Sequence, residues 1–135
     1  MNPYNGYDHN QRMAAYRWLM KEYASGVRVK PTKCDACQQT NGVIEPHSED
    51  YSAPYGDHIG QYGLCYRCHM MIHCRFKNKL GWNKYLKLLR DGYNFDGMTK
   101  NYHGFIYWLQ NIDKWIPIKA NDATQHTVLD FINKE

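Results

Sequence analysis

The chain has 135 residues, with 17 Lys and Arg against 13 Asp and Glu and a formal net charge of +4. That length fits a single domain over 1–135, with a core modest enough for a structural metal to matter. The mild positive excess permits an anionic partner without demanding one, and no apolar run approaches the roughly 18 residues of a membrane span, so no membrane partner is expected.

Asp8 to Ser25 reads as an N-terminal helix (8–25). Met13, Tyr16, Met20 and Tyr23 recur at spacings of three and four as an apolar stripe, with Asp8 as N-cap and Gly26 as stop. Val27 to Pro31 is an extended lead into Cys34-Asp35-Ala36-Cys37, a tight knuckle. Gly42 to Glu45 is a short strand. The Ser-, Asp-, Pro- and Gly-containing stretch from His47 to Gly63 is loop or hairpin. Tyr66 to Phe76 is a helix that starts inside a second knuckle, Cys65-Tyr66-Arg67-Cys68. A helical part (79–135) follows. Trp82, Tyr85, Leu86 and Leu89 form one stripe, and Tyr102, Phe105, Ile106 and Leu109 another; Val128, Phe131 and Ile132 mark a last helix. Gly92 and Gly97 separate the first two, and Pro117 closes the second. Tyr107 and Trp108 lie off their stripe and are candidates for a dimer interface or for stacking on nucleic acid.

The 5 cysteines fall as C-x2-C-x27-C-x2-C plus Cys74. The opening Met1 to Asn10 is polar and has no apolar core segment, so a cytoplasmic location with reduced thiols is expected. There, paired CxxC turns bind metal more often than they form disulfides. Each turn aims two thiolates at one ion, and Cys34, Cys37, Cys65 and Cys68 complete a tetrahedral Zn2+ site. Four thiolates leave no open coordination position, so this zinc holds the fold and does no chemistry. Cys74 reads as a small buried apolar residue.

His69 follows Cys68 directly, and His73 lies one helical turn on, which places both imidazoles on one helix face. His47 stands at the end of the first strand. Three imidazoles on one divalent ion, Mg2+ or another, would leave coordination open for a phosphate oxygen and water. The plainer alternative makes His69 a spare zinc ligand, His73 a surface residue and His47 a loop histidine.

Ile44-Glu45-Pro46-His47-Ser48-Glu49-Asp50-Tyr51-Ser52-Ala53-Pro54, followed by Leu64-Cys65-Tyr66-Arg67-Cys68-His69-Met70-Met71-Ile72-His73, resembles the HNH (ββα-metal) endonuclease family. The resemblance is closest to the small zinc-stapled HNH proteins of bacteriophages, which carry His-His-x-Asp-Tyr-Ser-x-Pro and then Leu-Cys-x-x-Cys-His-x-x-x-His. It covers residues 34–76. It implies an α+β fold: a zinc-stapled, treble-clef-like ββα-metal core with additional N- and C-terminal helices. It also implies His47, His69 and His73 as ligands of a catalytic divalent ion, double-stranded DNA as partner, and action as a homodimer in many relatives. The cytoplasm would be that of a bacterial host.

One position departs from the family pattern. The second His of the pair is the family's general base, and here that residue is Ser48, which has no accessible pKa near neutrality. Either His47 is the base in a shifted register, or Glu49, Asp50 or His58 substitutes, or cutting is lost. Arg67 and Arg75 flank the metal helix and, with Lys77, would suit phosphate contacts; a solvated helix face is the bland reading of the same residues. Three functions compete. The first is a metal-dependent DNA endonuclease of nicking, homing or restriction type. The second is a scaffold that has lost its base and binds DNA or, as a phage inhibitor, a host protein. The third is a purely structural zinc domain.

Overall fold

The computed structural model describes residues 1–94, 102–112 and 118–119. Helix α1 (His9–Ser25) begins at a capping box. Asp8 accepts from the Gln11 backbone N–H at 2.8 Å, and the Gln11 side chain accepts from the Asp8 N–H at 2.8 Å. It ends where Gly26 turns left-handed at φ 80°.

Strands β1 (Ile44–His47) and β2 (Tyr62–Cys65) pair antiparallel, from Ile44 opposite Cys65 to His47 opposite Tyr62. β1 starts two residues later than the expected Gly42. Val43 is exposed, and pairing begins only where Ile44 turns into the core opposite Cys65. Helix α2 (Tyr66–Cys74) follows β2 without a loop and tightens into a single 3-10 turn, Arg75–Lys77. Helix α3 (Lys79–Arg90) is capped by Asn78, whose side chain accepts from the Gly81 N–H at 2.9 Å. Two-residue strands β3 (Tyr93–Asn94) and β4 (Ile118–Lys119) pair antiparallel around helix α4 (Tyr102–Gln110). No helix among the described residues is long and apolar enough to cross a membrane.

Two apolar clusters result. The larger packs the cysteine turns and α2 against Trp82, Tyr85, Leu86 and Leu89 of α3 and Phe105, Trp108 and Leu109 of α4. Gly81 makes the α3–α4 contact close: a β-carbon there would stand 2.3 Å from the Leu109 carbonyl oxygen. The smaller cluster joins Ala15 and Leu19 of α1 to Tyr4, Tyr51 and Ile59.

Two sequence expectations change here. The buried face of α1 is Arg12, Ala15 and Leu19, whereas Tyr16 is exposed. Small Ala15 lets the helix approach Tyr51 and Ile59 closely, and Arg12 is accommodated by two tyrosine rings, so the face is rotated from the Met13–Tyr16–Met20 stripe. Trp108 is not a surface residue: it lies in the large cluster at 8% exposure, while Tyr107 is 56% exposed. Ile106 is only half-buried against the cluster. Phe95, Gly97, Trp115, Pro117, the Val128–Phe131–Ile132 helix and the side chain of Tyr102 lie outside the described residues.

Candidate metal centre

The two CxxC turns face each other across the β-hairpin. The first is held to β2 by a reciprocal pair: Asp35 N–H donates to the Gly63 carbonyl, and Gly63 N–H donates to the Asp35 carboxylate, both at 2.8 Å. Within each turn the second amide approaches the first sulfur: Cys37 N to Cys34 Sγ and Cys68 N to Cys65 Sγ, each 3.5 Å. Cys34, Cys37, Cys65 and Cys68 are all free thiols, and their sulfurs lie within 4.8 Å of one another. Cys37 Sγ and Cys65 Sγ are 3.8 Å apart. A tetrahedron with metal–sulfur bonds of about 2.3 Å has edges of ~3.8 Å, so this spacing suits zinc.

Proton sharing divides the four. The hydrogen bond to Cys34 lowers Cys37 to about 7 and pulls Cys65 lower still; Cys34 itself rises, and burial raises Cys68. Around them, Arg67 Nε donates to Tyr85 Oη at 3.1 Å, and that hydroxyl meets Cys68 Sγ at 3.2 Å. The Tyr85 oxygen, and behind it the charge of Cys68, Cys37 and Cys65, holds Arg67 firmly cationic. Arg67 Nε is therefore engaged beside the cysteine cluster. Cys74 is fully buried, and burial raises its thiol to about 11.

The second cluster begins at the next residue. His47 at the end of β1 meets His69 and His73 on α2, with ring centroids 5.2, 5.5 and 4.9 Å apart pairwise. One ring nitrogen from each lies within 4.8 Å of the others. Each ring also leaves one buried nitrogen without a hydrogen-bond partner: Nδ1 of His47, Nδ1 of His69 and Nε2 of His73. Buried polar atoms are rarely left so, and three together on three imidazoles fit a shared cation. Burial lowers all three: His69 to about 3 and His73 to about 2, helped by their mutual charges and by Arg12. Burial lowers His47 too, against the pull of Glu49. Neutral imidazoles are the ligand form.

Glu49 stands behind His47. Its Oε2 lies 2.5 Å from His47 Nε2 and accepts from Tyr4 Oη at 2.5 Å; Arg75 pairs with Oε1. Arg75 also donates to Tyr4 Oη at 2.6 Å and to the Ile72 carbonyl at 2.8 Å. Burial favours the neutral acid, but the bonds from His47 and Tyr4 and the Arg75 charge outweigh it, so Glu49 stays ionised below the ordinary range. The His47 proton thus sits on Nε2, leaving Nδ1 as the free lone pair.

This arrangement corrects several sequence expectations. Glu49 is committed to three partners and orients His47 rather than taking a proton from water. Arg75 is buried at 6% exposure against Glu49, which removes it from phosphate contact. His58 Nε2 donates to the Ser52 carbonyl at 2.7 Å in its own loop and is not in the histidine cluster. Asp50 caps that loop, accepting from Ser52 N–H at 2.8 Å and Tyr7 Oη at 2.7 Å. Ser48 is buried, its Oγ accepting from Gly60 N–H at 2.6 Å. Lys77 remains exposed.

Sequence reasoning missed Tyr4 and Arg12. Tyr4 lies against His73 with ring centroids 4.4 Å apart and planes tilted by 36°, and stands edge-on to His47 at 5.5 Å. The Arg12 guanidinium lies over the Tyr4 and Tyr51 rings at 5.3 and 5.1 Å and donates to the Asn2 carbonyl. For Arg12 a signal existed: it occupies the i, i+3, i+7 register with Ala15 and Leu19. For Tyr4, lying ahead of the N-cap, there was none.

No family model, curated protein or solved structure matches the chain. The protein is a small α+β fold with a four-cysteine cluster able to hold a structural metal such as zinc, adjoined by three histidines, one buried and two half-buried.

Proposed function

We propose that the protein is a metal-dependent DNA phosphodiesterase of the HNH type, with zinc among the cysteines and a divalent ion such as Mg2+ among the histidines. The observation that carries this reading is the trio of imidazoles with buried, unpartnered nitrogens, where β1 meets α2. A set assembled only for packing would leave fewer such atoms. When bound, a divalent ion there supplies a Lewis acid for a phosphoryl oxygen. His47, His69 and His73 would hold it, and Glu49 fixes the ring of His47. The base position is Ser48, and its hydroxyl is occupied by Gly60. Loss of a general base costs on the order of 10² to 10⁴ in rate, so turnover is slow.

The same serine favours a second reading: a scaffold that binds DNA, or a host protein, without cutting. A plasmid-nicking assay with Mg2+, Mn2+ or Ni2+ separates the two. Nicking that disappears in His69→Ala supports the enzyme. Retarded but intact DNA under every metal supports the binder. Cleavage undiminished in His69→Ala overturns the assignment of the centre.

A further inference from the structure

The three histidines are closed on most sides. His47 is 2% exposed, and Tyr4 covers His73. His69, at one edge of the cluster, lines a cavity of about 310 Å3 between α1 and β1. Its polar end carries Arg12, Ser48, Glu45 and His69, and its apolar wall is formed further along α1 by Tyr16, Leu19, Met20 and Tyr23.

Arg12 is 92% out of solvent, since its exposure is 8%. Two of its nitrogens are used, one on the Asn2 carbonyl and one on Tyr51 Oη at 3.3 Å, but Nε is buried and has no acceptor. A buried guanidinium N–H without an acceptor costs free energy unless an anion or water supplies one. Lys30, exposed at the rim, adds a second positive charge against the single carboxylate of Glu45, which stands 3.7 Å from His69 Nδ1. The cavity therefore offers cations beside the metal ligands and an aromatic and aliphatic wall beyond them. Its volume is at the small end of ligand pockets, which run from about 300 to 1,000 Å3. Bases that proteins take into such pockets are unpaired, with the phosphate held by Arg and the base on aromatic or apolar side chains.

Resting on the nucleic-acid reading above, we propose that this cavity receives one unpaired nucleotide, its phosphate against Arg12 and His69 and its base along Tyr16, Met20 and Tyr23. The substrate class is then single-stranded, flapped or frayed DNA rather than a continuous duplex.

The test uses the zinc-loaded full chain in Mg2+ buffer, titrated calorimetrically with thymidine 5′-monophosphate and with inorganic phosphate. The nucleotide is expected to bind at least tenfold more tightly than phosphate, because the apolar wall adds to the charge. Arg12→Gln should weaken both ligands at least tenfold. Met20→Trp, which fills the wall, should weaken only the nucleotide. Zinc content and far-ultraviolet dichroism report folding, and if Arg12→Gln fails that check, Met20→Trp and the exposed Lys30→Gln carry the test. A single-stranded oligonucleotide should displace the nucleotide at a tenth of the concentration needed for its duplex. Equal binding of nucleotide and phosphate, no effect of Met20→Trp, or equal competition by duplex overturns the proposal. Nicking without nucleotide binding sinks the pocket and leaves the nuclease. Nucleotide binding with no cleavage of plasmid or of a single-stranded oligonucleotide under any metal supports the pocket and sinks the nuclease.

Discussion

Glu49 and Arg75 are ordinary surface residue types that end up behind a histidine, and their positions change what each can do. A carboxylate with a spare lone pair near water could be a base. A carboxylate gripped by Arg75, Tyr4 and the Nε2 proton of His47 is a bracket. Glu49→Gln is expected to weaken divalent-ion binding at the histidines about 10- to 100-fold, the usual cost of losing such a partner, while zinc at the cysteines stays stoichiometric; competition with a fluorescent chelator reads both. Proton release is a second check at this scale. A free histidine of pKa about 6.5 is roughly three-quarters protonated at pH 6, so its metal binding expels protons. In the folded chain burial has already lowered His47, His69 and His73, the last two to about 3 and about 2. The protons of His69 and His73 are therefore lost on folding, not on metal binding. Calorimetry of Ni2+ binding at pH 6 in buffers of different ionisation enthalpy should show the release of no more than the one proton of His47, and a buffer-dependent heat equal to two or more protons would contradict it. The spacing of His69 and His73 made their shared face readable from the sequence. The bracket was not readable, because it is assembled from positions 4, 49 and 75, which only the closed fold brings together.

At the scale of elements, periodicity was a good guide where a helix is strongly two-faced and a poor one where it is not. The α3 stripe of Trp82, Tyr85, Leu86 and Leu89 is wholly buried. α1 has polar and apolar residues scattered round it, and there Arg12 took a core place that charge alone would deny it. In α4 the face is broad: Phe105, Trp108 and Leu109 all meet the large cluster, so an off-stripe Trp108 was indistinguishable from a contact residue until its neighbours were known. Trp108→Ala should cost about 3–5 kcal/mol. Tyr107→Ala, on the exposed side, should stay within about 0.5 kcal/mol. Urea denaturation compares them, and similar losses for both would return Trp108 to the surface.

Across the whole molecule, the cysteine cluster and the histidine cluster share one helix start. β2 delivers Cys65, the first turn of α2 delivers Cys68, and His69 is the next residue. Metal at the cysteines is therefore expected to be a condition for metal at the histidines, since binding and folding are coupled in such sites. Cys68→Ser should abolish tight binding at both, whereas His73→Ala should leave the cysteine site filled; atomic-emission analysis of the purified variants decides. The adjacency has a spectroscopic corollary. The α-carbons of Cys68 and His69 are about 3.8 Å apart, so cobalt seated among the sulfurs would spread and shift the imidazole resonances next door. The thiolate corner would then act as a magnetic ruler for the other pocket.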